Sequence, residues 1–212
     1  METILQAVPT GLSPNATEPL RLRRATAPDA AALALVGGAT FLEAFTWMLP
    51  GADIVAFCAR QHTAEFYARA LAQPSTRITL ATTGVDAPVG YAMVVTPDLP
   101  TIEPREGDVE LKRIYLFSRF RSNATVVYDG AGRLLAGVRG GQALLDAALA
   151  DARELGGRRL LLGVNAGNAR AVAFYERNGF AVIGTRTFEV GAQQCSDYIL
   201  ARELAAGPND RE

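Results

Sequence analysis

Apolar residues along this chain recur at every second position in some stretches and at every third or fourth in others, which divides it into strands and helices. Leu20 to Arg24 (LRLRR) alternates as a strand does. Thr26, Pro28 and Asp29 then supply a capping hydroxyl, a first-turn proline and an acid at the positive end of a helix dipole. The Ala/Leu-rich helix they open reaches an aromatic cluster, Phe41 to Trp47, and Pro50-Gly51 breaks it. More helix follows from Asp53 to Leu71, with Thr63 as an internal cap, and Pro74 ends it. Arg77 to Thr83 and Gly90 to Val95 are β-branched strands joined by a turn through Asp86 to Pro88, which predicts a hairpin. Val109 to Leu116 is the next strand. A helix from Gln142 to Leu155 precedes Gly156-Gly157 and the strand Arg158 to Val164. In the helix after it, Ala171, Phe174, Tyr175 and Asn178 share one face, and Gly179 gives the left-handed end that glycine adopts without strain. Ala181 to Val190 and Ser196 to Leu204 are the last strands, around a turn at Gly191.

This order predicts an α+β, mixed α/β fold, a central twisted and largely antiparallel sheet of about seven strands flanked by helices. The 212 residues suit a single domain, from Leu20 to Leu204. The leader through Pro19 and the tail from Ala205 to Glu212 are polar and without period, so a disordered or draped leader and a frayed tail are expected. The leader lacks a signal peptide's basic start and apolar core, and no run approaches the roughly twenty apolar residues of a membrane span. A cytoplasmic protein is therefore expected. Net charge is −1, which favours neither nucleic acid nor an anionic membrane as partner. His62 is the only histidine, and Cys58 and Cys195 lie far apart, so a histidine triad or a metal site has little material. Both cysteines are expected as free thiols.

The segment Val164 to Phe180 reads VNAGNARAVAFYERNGF. Asn165, Gly167 and Asn168 suit a turn and a helix cap. An isolated Phe-Tyr pair at helical spacing is ordinary packing. Asparagine, alanine, phenylalanine-tyrosine and then Asn178-Gly179-Phe180 in fixed register is more than packing requires. The segment resembles the signature that closes the acetyl-CoA site in the GNAT superfamily of N-acetyltransferases, and the element order from Leu20 to Leu204 is similar to the GNAT fold. The early segment from Gly38 to Leu71 resembles small-amine or polyamine acetyltransferases.

The resemblance implies acetyl-CoA as co-substrate and no metal. Its pyrophosphate would sit where the helix before the signature begins, because unpaired N–H groups and the positive dipole end attract phosphate there. The family pattern usually has a Gln or Arg, two residues, Gly, one residue, then Gly or Ala. Gly141 takes the last place, with Arg139 where the middle glycine would stand and Ala136 where the basic residue would. A helix starting at Gly130 to Gly132 would enclose Gly137, Gly140 and Gly141 at roughly 1 kcal/mol each, which supports the later start. Val138, Arg139, Gly140, Gly141 and Gln142 are thus the expected phosphate turn, with Arg121 or Arg139 supplying charge. The backbone of Ile114, Tyr115 and Leu116 would hold the pantetheine arm and polarise the thioester carbonyl. Asn165, Asn168 and Tyr175 complete the cofactor site. A further departure lies at residues 122–136, which intervene between strand and glycine turn. Thr125 to Tyr128 and Arg133 to Leu135 flank Asp129-Gly130 and predict an inserted β-hairpin, placed to cover the cofactor, mediate a homodimer contact or obstruct binding.

Acetyl transfer to an amine needs a base for the ammonium and a proton for the departing thiolate. By resemblance Tyr175 takes the place of the tyrosine that protonates the coenzyme A thiolate, and a phenol's pKa lies within about two units of a thiol's. Glu110 is the candidate base: it opens the strand beneath the acetyl group, and alternation puts it with Lys112 on the face opposite Leu111 and Arg113. Glu43 is a second carboxylate, able to bind a cationic amine. The expected activity is transfer of acetyl from acetyl-CoA to a primary amine of a small molecule or peptide by direct attack. The irregular glycine turn and the insertion leave an alternative, a regulatory or CoA-binding module that keeps the fold without catalysis.

Overall fold

The structure, a computed structural model, describes residues 19–99, 101–121, 126–135, 137–190 and 193–204, with the side chains of 188–190 and 193–195 left aside. The expected leader before Pro19, the expected tail, and residues 122–125 and 136 of the insertion lie outside them.

Among the described residues nine strands build one sheet: β1 (Leu20–Arg24), β2 (Arg77–Thr82), β3 (Pro88–Val95), β4 (Asp108–Leu116), β5 (Val127–Tyr128), β6 (Leu134–Leu135), β7 (Arg159–Asn165), β8 (Ala181–Val190) and β9 (Gln193–Glu203). Their order is β6-β5-β1-β2-β3-β4-β7-β9-β8. Every neighbouring pair is antiparallel except β1–β5 and β4–β7. Seven are the strands expected from periodicity, and the other two are the inserted hairpin.

Alternation along the strands assigns the two faces. On β3, Tyr91 and Met93 pack with Leu33 of α1 (Ala30–Phe45) and Tyr67 of α3 (Ala64–Leu71), beside which lies α2 (Gly51–Gln61). Ala92 and Val94 point the other way, joining Leu144 and Leu145 of α5 (Gly140–Glu154) and Tyr175 of α6 (Ala169–Arg177). A single turn, α4 (Ser118–Arg121), follows β4. The cap read at Thr63 is formed, its hydroxyl accepting from the Phe66 amide at 3.1 Å. The expectation of no long apolar run needs correction: Ala27–Phe45 is helical over 19 residues with mean hydropathy 1.2. Leu33, Val36 and Phe41 of this helix are buried in the protein's own cores.

The hairpin pairs Val127 with Leu135 and Tyr128 with Leu134, and β5 adds parallel to β1 with Leu20 opposite Val127. It therefore extends the far edge of the sheet. Its turn is longer than the Asp-Gly signal predicts. Asp129 accepts from the amides of Ala131 and Arg133 at 3.0 and 2.8 Å, and Gly132, at φ +79°, carries the left-handed conformation.

Two irregularities place the site. β4 and β7 pair only over Asp108–Glu110 against Arg159–Leu161 and then part. Within β4, Met93 faces Arg113 while Val94 faces Leu111, so Lys112 is an extra, bulged residue. The bulge flips the parity read from sequence. Arg113 and Tyr115 share the face of Glu110, toward the helices α1 to α3, while Ile114 and Leu116 face α5.

Candidate active site

Where β4 and β7 part, a cavity of about 560 Å³ opens, walled by the start of α5 and by α6. Ile114, Tyr115 and Leu116 line it from β4, beyond the point where β4 pairs with β7. The α5 N-cap is Arg139, in extended conformation and without a side-chain cap. The Ala143 amide is the first to bond back into the helix, to the Arg139 carbonyl at 2.9 Å, so the N–H groups of Gly140, Gly141 and Gln142 precede the ladder. Gly141, Gln142 and Arg139 line the cavity; Val138 packs on the core instead. Gly140 serves packing: a Cβ there would lie 2.3 Å from the Phe120 carbonyl oxygen, so no other residue lets α5 approach α4 so closely.

The signature segment supplies the opposite wall. Asn165 accepts from the Gly167 amide at 2.9 Å, and Asn168 caps α6 by accepting from the Ala171 amide at 3.1 Å. The Gln142 amide nitrogen donates to Asn178 at 2.7 Å and to Asp146 at 2.9 Å, tying the start of α5 to the end of α6. Tyr175 reaches the cavity from α6, held edge-on between the rings of Phe174 and Phe180 at 5.4 and 5.6 Å. Burial pushes its phenol well above the ordinary value, which keeps it protonated.

Charge sets this cavity apart. Lys112, Arg113, Arg121, Arg139, Arg170 and Arg177 line it, and no Asp or Glu does among the described residues, in a chain of net charge −1. Such a concentration of one sign in a cleft focuses an attractive field on a polyanion. No described residue of the inserted hairpin lines it; β5 and β6 lie at the far edge of the sheet, beside β1.

A second cavity, of about 490 Å³, lies on the α1 to α3 face. With the first it shares Lys112, Arg113, Tyr115, Gly163 and Asn165 of the sheet, and Phe45 and Met48 above them, so the two meet at the parting of the strands. Arg113 enters it nine-tenths buried. Its Nη1 donates to the Gln61 carbonyl at 2.8 Å and to the Tyr67 hydroxyl at 3.0 Å, and its Nη2 to Gln61 Oε1 at 2.9 Å. The Tyr67 hydroxyl donates to Tyr91 at 2.7 Å and lies 2.9 Å from Nδ1 of His62. Burial, followed by the Arg113 charge, pulls His62 down to about 3, so the ring is neutral. Asp197 of β9, opposite Asn165, is buried at the same cavity beside Arg186 at 3.2 Å, and burial pushes its carboxyl up. Arg113, His62 and Asp197 escaped the sequence reading as site members. The available signal was a charged residue interrupting an apolar strand, as in KRIYL and SDYIL.

The two carboxylates read from sequence sit elsewhere. Glu110 lines neither cavity: it is 1% exposed, accepts from the Asp98 amide at 2.8 Å and meets Lys112 at 3.4 Å. Glu43 accepts from the Ser118 amide and hydroxyl at 3.1 and 3.0 Å and from Arg121 at 2.7 Å, so it caps α4, and it lines neither cavity. Arg121 keeps one edge on the first cavity while its Nε holds the Leu116 carbonyl at 2.6 Å.

Residues 137–180 match the Acetyltransferase (GNAT) family. Two uncharacterized N-acetyltransferases, of Mycobacterium tuberculosis and Mycobacterium bovis, are each 34% identical to the chain over 176 residues, covering 83% of it and 98% of the relative. In fold it is similar to the PaiA N-acetyltransferase of Thermoplasma acidophilum in complex with coenzyme A, with a TM-score of 0.65, 16% identity and 87% and 98% of the two chains covered. A GNAT acetyltransferase of Streptococcus pneumoniae gives a TM-score of 0.54 at 20% identity, covering 87% and 99%. The architecture, the signature and the relatives agree, and the chain belongs to the GNAT family of acetyltransferases, as an enzyme of acyl transfer.

Proposed function

We propose that the chain moves the acetyl group of acetyl-CoA to a primary amine of a small molecule or peptide by direct attack, with no covalent enzyme intermediate. The observation that carries this reading is the cavity of six cations with no carboxylate among its described lining, ending on the amides of Gly140 to Gln142 that precede the helix ladder and meeting a second cavity at the parted strands. Phosphate oxygens suit the first, through the helix N-terminus together with Arg139 and Arg121. The acceptor amine enters the second, and its nitrogen reaches the thioester through the gap at Gly163. The fold neighbour from Thermoplasma holds coenzyme A, which supports the same use here.

In this reading the backbone around Lys112 to Tyr115, on the side that β7 has left, polarises the thioester carbonyl. Asp197 takes the proton of the ammonium; a carboxyl raised by burial is a stronger base than an exposed one. Tyr175 stays protonated and gives the departing thiolate a hydrogen bond; burial weakens the phenol as an acid, and its proton passes to the sulfur because the same dry surroundings raise the basicity of the thiolate. Calorimetric titration with acetyl-CoA, followed by thiol release on a panel of amines, tests the proposal. Saturable heat and amine-dependent release are expected; no heat or thermal shift at millimolar acetyl-CoA would overturn it.

A further inference from the structure

The acceptor cavity holds a positive charge that the protein does not balance. Of the cations on its described lining, Arg60 is exposed to solvent, Lys112 meets Asp98 at 3.3 Å and Arg186 meets Asp197 at 3.2 Å. Arg113 has neither an Asp nor a Glu among the described residues: its partners are a backbone carbonyl, an amide oxygen, a phenol and the Phe66 ring, 4.4 Å from its guanidinium carbon. Guanidinium has five N–H groups, and these bonds use three. Its Nε–H and one Nη2–H have no partner among the described residues, and together they are the edge a carboxylate grips in bidentate fashion. Within the protein, Arg159 uses those same atoms on Asp108, at 2.8 and 2.7 Å. A second group beside it also lacks a partner. His62 lines the cavity at 7% exposure, its Nδ1 engaged by Tyr67 and its Nε2 without a hydrogen bond among the described residues. A buried guanidinium without an anion is costly, and an anion from a ligand relieves that cost.

Resting on the acetyl-transfer reading above, we infer that the acceptor is an amine that also carries a carboxylate, which docks on the open edge of Arg113 while Asp197 faces the amine. A polyamine fits poorly here: it would bring further positive charge to a cavity whose one buried, unbalanced group is already a cation. This narrows the small-amine or polyamine expectation drawn from the early segment of the sequence.

The test uses the full chain with saturating acetyl-CoA and thiol release as readout. Amino acids are compared with their own carboxamides, with spermidine as a polycationic amine and kcat/KM expressed per unprotonated amine. The wild type is expected to favour the carboxylate member by about tenfold or more. In Arg113→Gln that ratio is expected to fall to within about threefold, with Arg113→Lys between, since an ammonium keeps charge but loses the bidentate edge. Should Arg113→Gln fail to fold, the wild-type ratio and Arg113→Lys decide. Equal or better use of carboxamides or spermidine overturns the inference, as does a ratio that survives Arg113→Gln. A chain that binds no acetyl-CoA in the calorimeter loses both readings; one that binds it and prefers spermidine loses only the carboxylate.

Discussion

Acidification from pH 7 to pH 5 should cost the fold about 2 kcal/mol through His62 alone. In the folded chain the ring is buried beside Arg113, with Tyr67 on its Nδ1, and its pKa is pulled from the ordinary 6.5 to about 3. The unfolded chain takes up a proton as pH falls through 6.5, whereas the folded chain waits until about 3, so between those values the unfolded state binds more protons. The stabilisation is therefore complete above 6.5 and is lost progressively as pH falls toward 3. At pH 5 the unfolded state gains a factor of about 30, worth about 2 kcal/mol, nearly all of it absent at pH 7. The result holds for any folded value below about 4. In a domain of this size it corresponds to a drop of about 4–8 °C in Tm. Asp197, Asp151 and Glu110, raised by burial, push the other way as pH falls, so the histidine must be isolated by difference. Denaturant unfolding of the wild type and His62→Gln at pH 7, 6 and 5 does this. The gap between the two should change by about 2 kcal/mol, and parallel losses within about 0.5 kcal/mol would refute the reasoning.

Four further outcomes follow from the site. Tyr175→Phe should lower kcat by about 100-fold, and unchanged turnover at every pH would remove its role as acid. Asp197→Asn should lower kcat/KM by about 100-fold and erase the acidic limb of its pH profile, checked by steady-state kinetics from pH 5 to 9. Gly140→Ala should destabilise the fold by about 1–3 kcal/mol in urea unfolding, because its Cβ would meet the Phe120 carbonyl oxygen at 2.3 Å. Arg139→Ala should weaken acetyl-CoA binding by about 3–10-fold at low salt and by less at high salt, measured calorimetrically at two ionic strengths.

The seven main strands and the helices were legible because each buries one face, and burial writes its period into the sequence. Gly141 and Gln142 were placed by helix length: a start at Gly130 would have enclosed three glycines. The hairpin was legible as local turn chemistry, but its docking on β1 was not, since β1 and β5 are joined by two ladder positions, Leu20 with Val127 and Arg21 with Tyr128, that no local pattern marks. The bulge at Lys112 stayed hidden because one extra residue leaves the apolar count of β4 unchanged while reversing the faces beyond it. That reversal turns Arg113 onto the face of Glu110. Glu43 illustrates a different limit: its partners Ser118 and Arg121 lie 75 and 78 residues away, and only the folded chain shows that they engage it.

The most direct test of the account is the structure of this chain crystallised with acetyl-CoA. The pyrophosphate is expected on the amides of Gly141 and Gln142 beside Arg139, with the thioester in the gap between β4 and β7. A cofactor bound on another surface, with that gap empty, would contradict the account.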